Sequence, residues 1–184
     1  LDDRKKFFLG IIVLSITGVF TGWSKQNFTL VYFKGKVSED FASLFSYMDW
    51  FFGFLAPFLI YTFLSISTFL MARILEERIT IKSLYVNVGL AFLPQLIVTI
   101  FVTYVLSFLT AQDIGDIVKT GDLTNPVHWG LSLKDLRIFI WIGYAFLYLH
   151  ILLYLIKVEG FSTINAVLAI FIPTLIITFI YMFL

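Results

Sequence analysis

Five long apolar runs, separated by two short and two longer polar segments, set the rhythm of this chain. They extend from about Phe7 to Trp23, Trp50 to Ile74, Leu84 to Leu109, Ile138 to Ile156 and Ile164 to Leu184, and away from their ends none carries a charge. An α-helix rises 1.5 Å per residue, so about 20 apolar residues cross the hydrocarbon core of a bilayer. The pattern therefore predicts an all-α polytopic integral membrane protein with five transmembrane helices, forming a single transmembrane domain over residues 1–184.

The polar segments carry patterns of their own. In SEDFASLFSYMDW, Ser38 is a candidate helix cap with Glu39 and Asp40 in the first turn, and Phe41, Leu44, Phe45 and Met48 recur at i, i+3, i+4, i+7. This predicts an interfacial amphipathic helix between the first and second spans. Further on, the Asn-Pro of TNPVHWG marks a turn, and SLKD, Ser132 to Asp135, has capping-box spacing for the start of the fourth span. Asp113, Asp116 and Asp122 miss the spacing of a calcium loop and read as a solvated face.

Composition narrows the function classes. Hydrophobic residues make up 60% of the 184 residues and charged residues 14%, too little polar surface to cover a water-soluble globule. A net charge of +1 with scattered basic residues gives no footprint for nucleic acid. With no cysteine there is neither a disulfide nor a thiolate site, and no cofactor or metal is expected. RKKFFLGIIVLSITGVF has a basic segment leading into an apolar one but no A-x-A-like cleavage site, so it reads as an uncleaved anchor in the cytoplasmic membrane. With its basic end in the cytosol, Arg4, Lys5, Lys6, Arg73, Arg78, Lys82 and Lys157 lie inside, and the C-terminus lies outside.

Polar residues within the spans are the candidate functional positions. Ser83, Asn87, Ala91, Gln95, Thr99, Thr103 and Ser107 recur every four residues along the third, a row of small or hydrogen-bonding side chains that lets neighbouring helices approach. Pro94 removes a backbone donor and frees the carbonyl of Leu90, while Gln95 brings an amide that hydrocarbon cannot solvate. The amide is expected to tie this kinked helix to its neighbours, and its loss to cost about 1 kcal/mol. Gly18 and Gly22 form a GxxxG in the first span, Pro57 and Pro173 predict kinks, and Tyr61, Ser65 and Thr68 form a polar stripe in the second. His150 and Tyr154 lie one turn apart in the fourth. With no acid partner in any span, His150 is expected to be neutral and bonded to a neighbour's hydroxyl or carbonyl. No H-E-x-x-H occurs, nor a carboxylate pair within a span, so no catalytic residue is assigned. Glu76 and Glu77 are reminiscent of a membrane-protease glutamate pair, but the spaced arginine and following histidine are missing.

Two stretches together resemble the Yip1 domain family of five-span membrane proteins. In MARILEERITIKSLYVNVGLAFLPQ, the positions are Ala72, Arg73, Lys82, Gly89 and Pro94; in WIGYAFLYLHILLYLIKVEGFSTINAVLAIFIP, they are Trp141, Val158, Gly160, Ser162, Ala166 and Pro173. The resemblance runs from the second span onward. The glycine pair usual after that span is Glu76-Glu77-Arg78 here, and the D-L-Y-G-P motif and long N-terminal region through which eukaryotic members engage Rab GTPases are not found in these residues. That partner is not carried over, and the likeness is to the compact prokaryotic members. The resulting expectation is a non-enzymatic protein that packs against membrane lipid, other membrane proteins or itself. The alternative is a transporter or channel using Pro94, Gln95, Tyr61, His150 and Asn165 around a midplane cavity.

Overall fold

In the computed structural model, residues 2–183 are described, without the side chains of Val118 and of residues 176–183. The chain is mainly helical: α1 (Asp3–Phe33), α2 (Glu39–Ile74), α3 (Ile81–Ala91), α4 (Leu93–Leu106), α5 (Ala111–Thr120), a hairpin of β1 (Pro126–His128) and β2 (Leu131–Ser132), α6 (Leu133–Lys157) and α7 (Thr163–Phe183). Among the described residues, four stretches are long and apolar enough to cross a membrane: α1, α2, Ile81–Leu106 and α6. The fifth expected span corresponds to α7, but side chains beyond Leu175 lie outside the described residues.

The interfacial helix is not a separate element. Residues Glu39 to Met48 are the opening turns of α2, which continues without interruption to Ile74 over 36 residues. No glycine or proline stands between Ser38 and Gly53, so nothing in the local chemistry stops the helix at the expected membrane boundary. At 1.5 Å per residue, α1 and α2 are roughly 45 and 55 Å long, well beyond the ~30 Å core. Part of the expected lipid-facing stripe packs on protein instead: the Phe41 and Phe45 rings lie 6.2 and 6.0 Å from that of Phe33, at the end of α1.

The chain forms two compact units. One comprises residues 1–14, 58–93 and 145–184; the other comprises residues 15–57 and 94–144.

In the second unit, α1 and α2 meet backbone to backbone. A methyl group on Gly22 would fall 2.6 Å from the carbonyl oxygen of Trp50, and one on Gly18 would fall 2.5 Å from that of Phe54. The GxxxG pair thus marks a true close crossing, with Gly53 supplying the opposing gap that the sequence reading missed. Thr29 bonds Asp49 across the same pair of helices, and Thr103 of α4 donates to the Phe20 carbonyl at 3.1 Å. Val102, Val105 and Leu136 form an apolar core between α4 and α6.

The segment between α4 and α6 holds more structure than its turn residues suggested. Thr110 and Asp113 cap α5 reciprocally, and Gly121 ends it in the left-handed conformation. Asp122 accepts from the Thr124 N–H and hydroxyl, which hold its carboxyl below the ordinary range. Asp113 and Asp122 therefore serve as local caps, and no metal-ligand cluster occurs among the described residues. The turn in TNPVHWG falls at Trp129-Gly130, both with positive φ, between the antiparallel β1 and β2. Ser132 then caps α6, accepting the Asp135 N–H at 3.2 Å while Asp135 accepts the Ser132 N–H at 2.9 Å, as the SLKD spacing predicts.

Candidate functional site

The polar row along the third span is divided by the break between α3 and α4. Pro94 lacks the N–H that would bond Leu90, and Phe92 closes α3 with its own N–H directed to the carbonyls of Gly89 and Leu90. Ser83 and Asn87 belong to the first unit, Gln95, Thr99 and Thr103 to the second.

In the first unit, the polar side chains converge near the helix ends. Thr80 caps α3, accepting the Ser83 N–H at 3.1 Å, and this places the Ser83 hydroxyl beside α6. There Ser83 meets the Tyr154 hydroxyl and donates to Glu159 Oε1 at 2.5 Å. Tyr154 donates to the same carboxylate oxygen. Asn87 turns back on its own helix, donating to the Ser83 carbonyl at 2.8 Å. Two further ties lie in the same unit. The Tyr61 hydroxyl of α2 donates to the Tyr85 carbonyl of α3 at 2.7 Å, and Asn165 of α7 donates to Glu77 Oε1 at 2.7 Å. Close helix approach supports the arrangement: a methyl on Gly89 would fall 3.1 Å from the Gly10 Cα of α1.

An open cleft of about 400 Å³ adjoins the triangle, lined by Arg73, Arg78, Ile79, Thr80, Ser83 and Glu159. Sequence reasoning singled out Asn87, Tyr154, Tyr61 and Asn165 but not Glu159 or the cleft. Glu159 follows Tyr154 by five residues, just past the end of α6, and Ser83 is 76 residues away, so helical periodicity could not expose the contact.

His150 departs from expectation. It is exposed on α6, and its imidazole has no hydrogen bond to any described residue. One turn on along nearly the same side of α6, Tyr154 is level with the start of α3 and buried in the network, where its hydroxyl meets Ser83. Tyr61 and Asn165 are engaged in separate bonds, and His150 shares neither.

Gln95 requires a correction too. Its side chain is 6% exposed, but its Oε1 is buried with no hydrogen-bond partner among the described residues. It lies against Gly143 of α6, where a methyl would fall 2.3 Å from that oxygen. Glycine opens the space for the carbonyl but offers no side-chain donor, so this end of the amide does not tie the helices together. An unpaired buried acceptor costs about 1–3 kcal/mol, whereas an apolar group of the same shape avoids that penalty. Gln95→Met is therefore expected to leave stability unchanged or raise it by about 1 kcal/mol. Thermal denaturation in mild detergent checks this; a clear fall in midpoint would mean the amide gains a partner in the membrane. Thr99, one turn on, is buried on the same face.

Comparison with protein-family models, with curated proteins and with solved structures gave no match.

Proposed function

We propose that this chain is a non-enzymatic integral membrane protein that works by packing its helices against other membrane proteins or a second copy of itself, or by ordering lipid. The observation that carries this reading is the use made of the polar side chains. Ser83, Tyr154, Tyr61, Asn165 and Thr103 bond adjacent helices or the turns that join them, while outward positions such as Leu59, Ile97, Trp141 and Phe146 present large apolar groups. In this reading α7 is a fifth span, the N-terminus is cytosolic and the C-terminus lies outside. The same reading takes it as similar to the compact Yip1 type, a likeness supported by the Ala72 to Pro94 and Trp141 to Pro173 positions. Because the chain has no cysteine, one cysteine introduced at Asp2 and another, separately, at Met182 report sidedness cleanly. Labelling from opposite sides of the cytoplasmic membrane is expected; labelling from the same side would sink the five-span arrangement.

Two features favour transport as the second reading: the interruption at Phe92–Pro94 and the unpaired carbonyl of Gln95. Purified protein in sealed vesicles separates the two. The packing reading expects neither saturable solute uptake nor lipid scrambling above protein-free vesicles. Uptake or scrambling abolished by Gln95→Leu or His150→Ala would put the transport reading first.

A further inference from the structure

The cleft beside the Ser83–Tyr154–Glu159 triangle holds an unusual combination of charges for a helix-end surface. Arg73 closes α2, with its guanidinium 5.2 Å from the centre of the Phe69 ring, and Arg78 stands in the following turn. Neither guanidinium forms an ion pair or hydrogen bond with a described residue, although Glu159 lines the same cleft. The reason is visible at the carboxylate: Ser83 and Tyr154 both donate to Oε1, anchoring Glu159, and Oε2 has no partner among the described residues. The cleft thus presents two available guanidinium groups, the hydroxyls of Thr80 and Ser83, and one free carboxylate oxygen. Ile74, 70% exposed beside Arg73, continues the surface in apolar form.

We propose that this cleft binds the headgroup of a phospholipid bearing a primary ammonium, the chemistry of phosphoethanolamine. Arg73 and Arg78 take the phosphate oxygens, for which a planar guanidinium offers paired donors. Glu159 Oε2 accepts from the ammonium, whose N–H donors a quaternary amine lacks. The volume falls within the ~300–1,000 Å³ usual for small-ligand sites. A lipid fits better than a soluble ester because the cleft lies at the ends of apolar helices, where a phospholipid places its headgroup while its acyl chains run along residues such as Ile74 and Leu70, both exposed.

The inference rests on the membrane reading above, and the test keeps the two apart. Full-length protein in mild detergent is titrated with phosphatidylethanolamine, phosphatidylcholine, phosphatidylglycerol or free phosphoethanolamine, and bound molecules are counted by native mass spectrometry. Phosphatidylethanolamine is expected to bind about fivefold or more tighter than phosphatidylcholine, the effect of one charge-assisted hydrogen bond. Glu159→Gln, which keeps an acceptor oxygen for Ser83 and Tyr154, should erase that preference. Arg78→Gln, at an exposed side chain with no bond to lose, should weaken both lipids. Equal binding of the two lipids by the unaltered protein, tighter phosphatidylglycerol binding, or a preference that survives Glu159→Gln overturns the site. Binding of free phosphoethanolamine as strong as that of the lipid overturns the lipid assignment. Insertion of the protein into vesicles is measured alongside: inserted protein without the preference loses only the headgroup site, and failure to insert loses the membrane reading beneath it.

Discussion

Gly22→Leu will destabilise the protein more than any single polar substitution in it. The obstacle at Gly22 is backbone: the added Cβ would lie 2.6 Å from the Trp50 carbonyl oxygen and 3.3 Å from the Phe54 nitrogen, and neither can move without moving α2. Gly53 faces it from the other helix, where a Cβ would come within 2.7 Å of the Gly22 Cα, so there is no slack on either side. Overpacking a crowded interior costs typically 1–3 kcal/mol when side chains can adjust; here the helices must part, and about 3 kcal/mol or more is expected. Separation would also strain the Thr29–Asp49 bond between the same helices. Gly115→Ala provides the contrast. Nothing lies within 4 Å of its added methyl, so the usual preference of helices for alanine over glycine should stabilise α5 by about 0.5–1 kcal/mol. Thermal denaturation in detergent reads both. A Gly22→Leu protein that melts with the unaltered one would show that α1 and α2 do not cross here.

That crossing was half legible in advance. GxxxG signals close approach on one helix, but the opposing residue is set by the depth at which the two helices meet, and Gly53, though the one glycine of α2, does not by itself say which turn of α1 it faces. The same limit explains α2 itself. Amphipathic spacing in residues 38–48 was correctly seen as helical, yet periodicity does not say whether a helix bends at a membrane surface or continues; only a glycine or proline would have marked a boundary. Between α4 and α6 the useful signal was Thr110-x-x-Asp113, a capping spacing hidden among aspartates read as a solvated face. The hairpin was harder, because its turn places Trp129, a bulky residue, at a φ of 51°, where glycine, asparagine and aspartate are the residues anticipated.

The candidate site shows the corresponding division. Polar residues on apolar helices stand out, and Asn87, Tyr154, Tyr61 and Asn165 could be named because hydrocarbon gives them no other partner. Which partner they take depends on where chain segments meet. Gln95 is the instructive case: its anomaly was evident from the sequence, but the facing residue proved to be Gly143, whose missing side chain accommodates the carbonyl without bonding it.

Removing the two hydroxyls around Glu159 should be worse than removing Glu159 itself. In Ser83→Ala/Tyr154→Phe the half-buried carboxylate keeps its position at the end of α6 but loses both donors to Oε1. Hydrogen bonds to charged groups contribute about 1.5–3 kcal/mol, and a carboxylate stripped of donors bears the cost of its own desolvation. Glu159→Ala removes the charge with the bonds, and Ser83 and Tyr154 still meet each other, so its effect should be about 1 kcal/mol. The double variant is expected to lose about 2 kcal/mol, below the full sum because Glu159 is only partly buried and water can reach it. In the triple variant, part of that loss should return, since no unpaired charge remains. This non-additivity separates a coupled triangle from three independent contacts. Additive losses across the single, double and triple variants, measured as denaturation midpoints in one detergent, would mean that the triangle does not act as a unit in holding α3 to the end of α6.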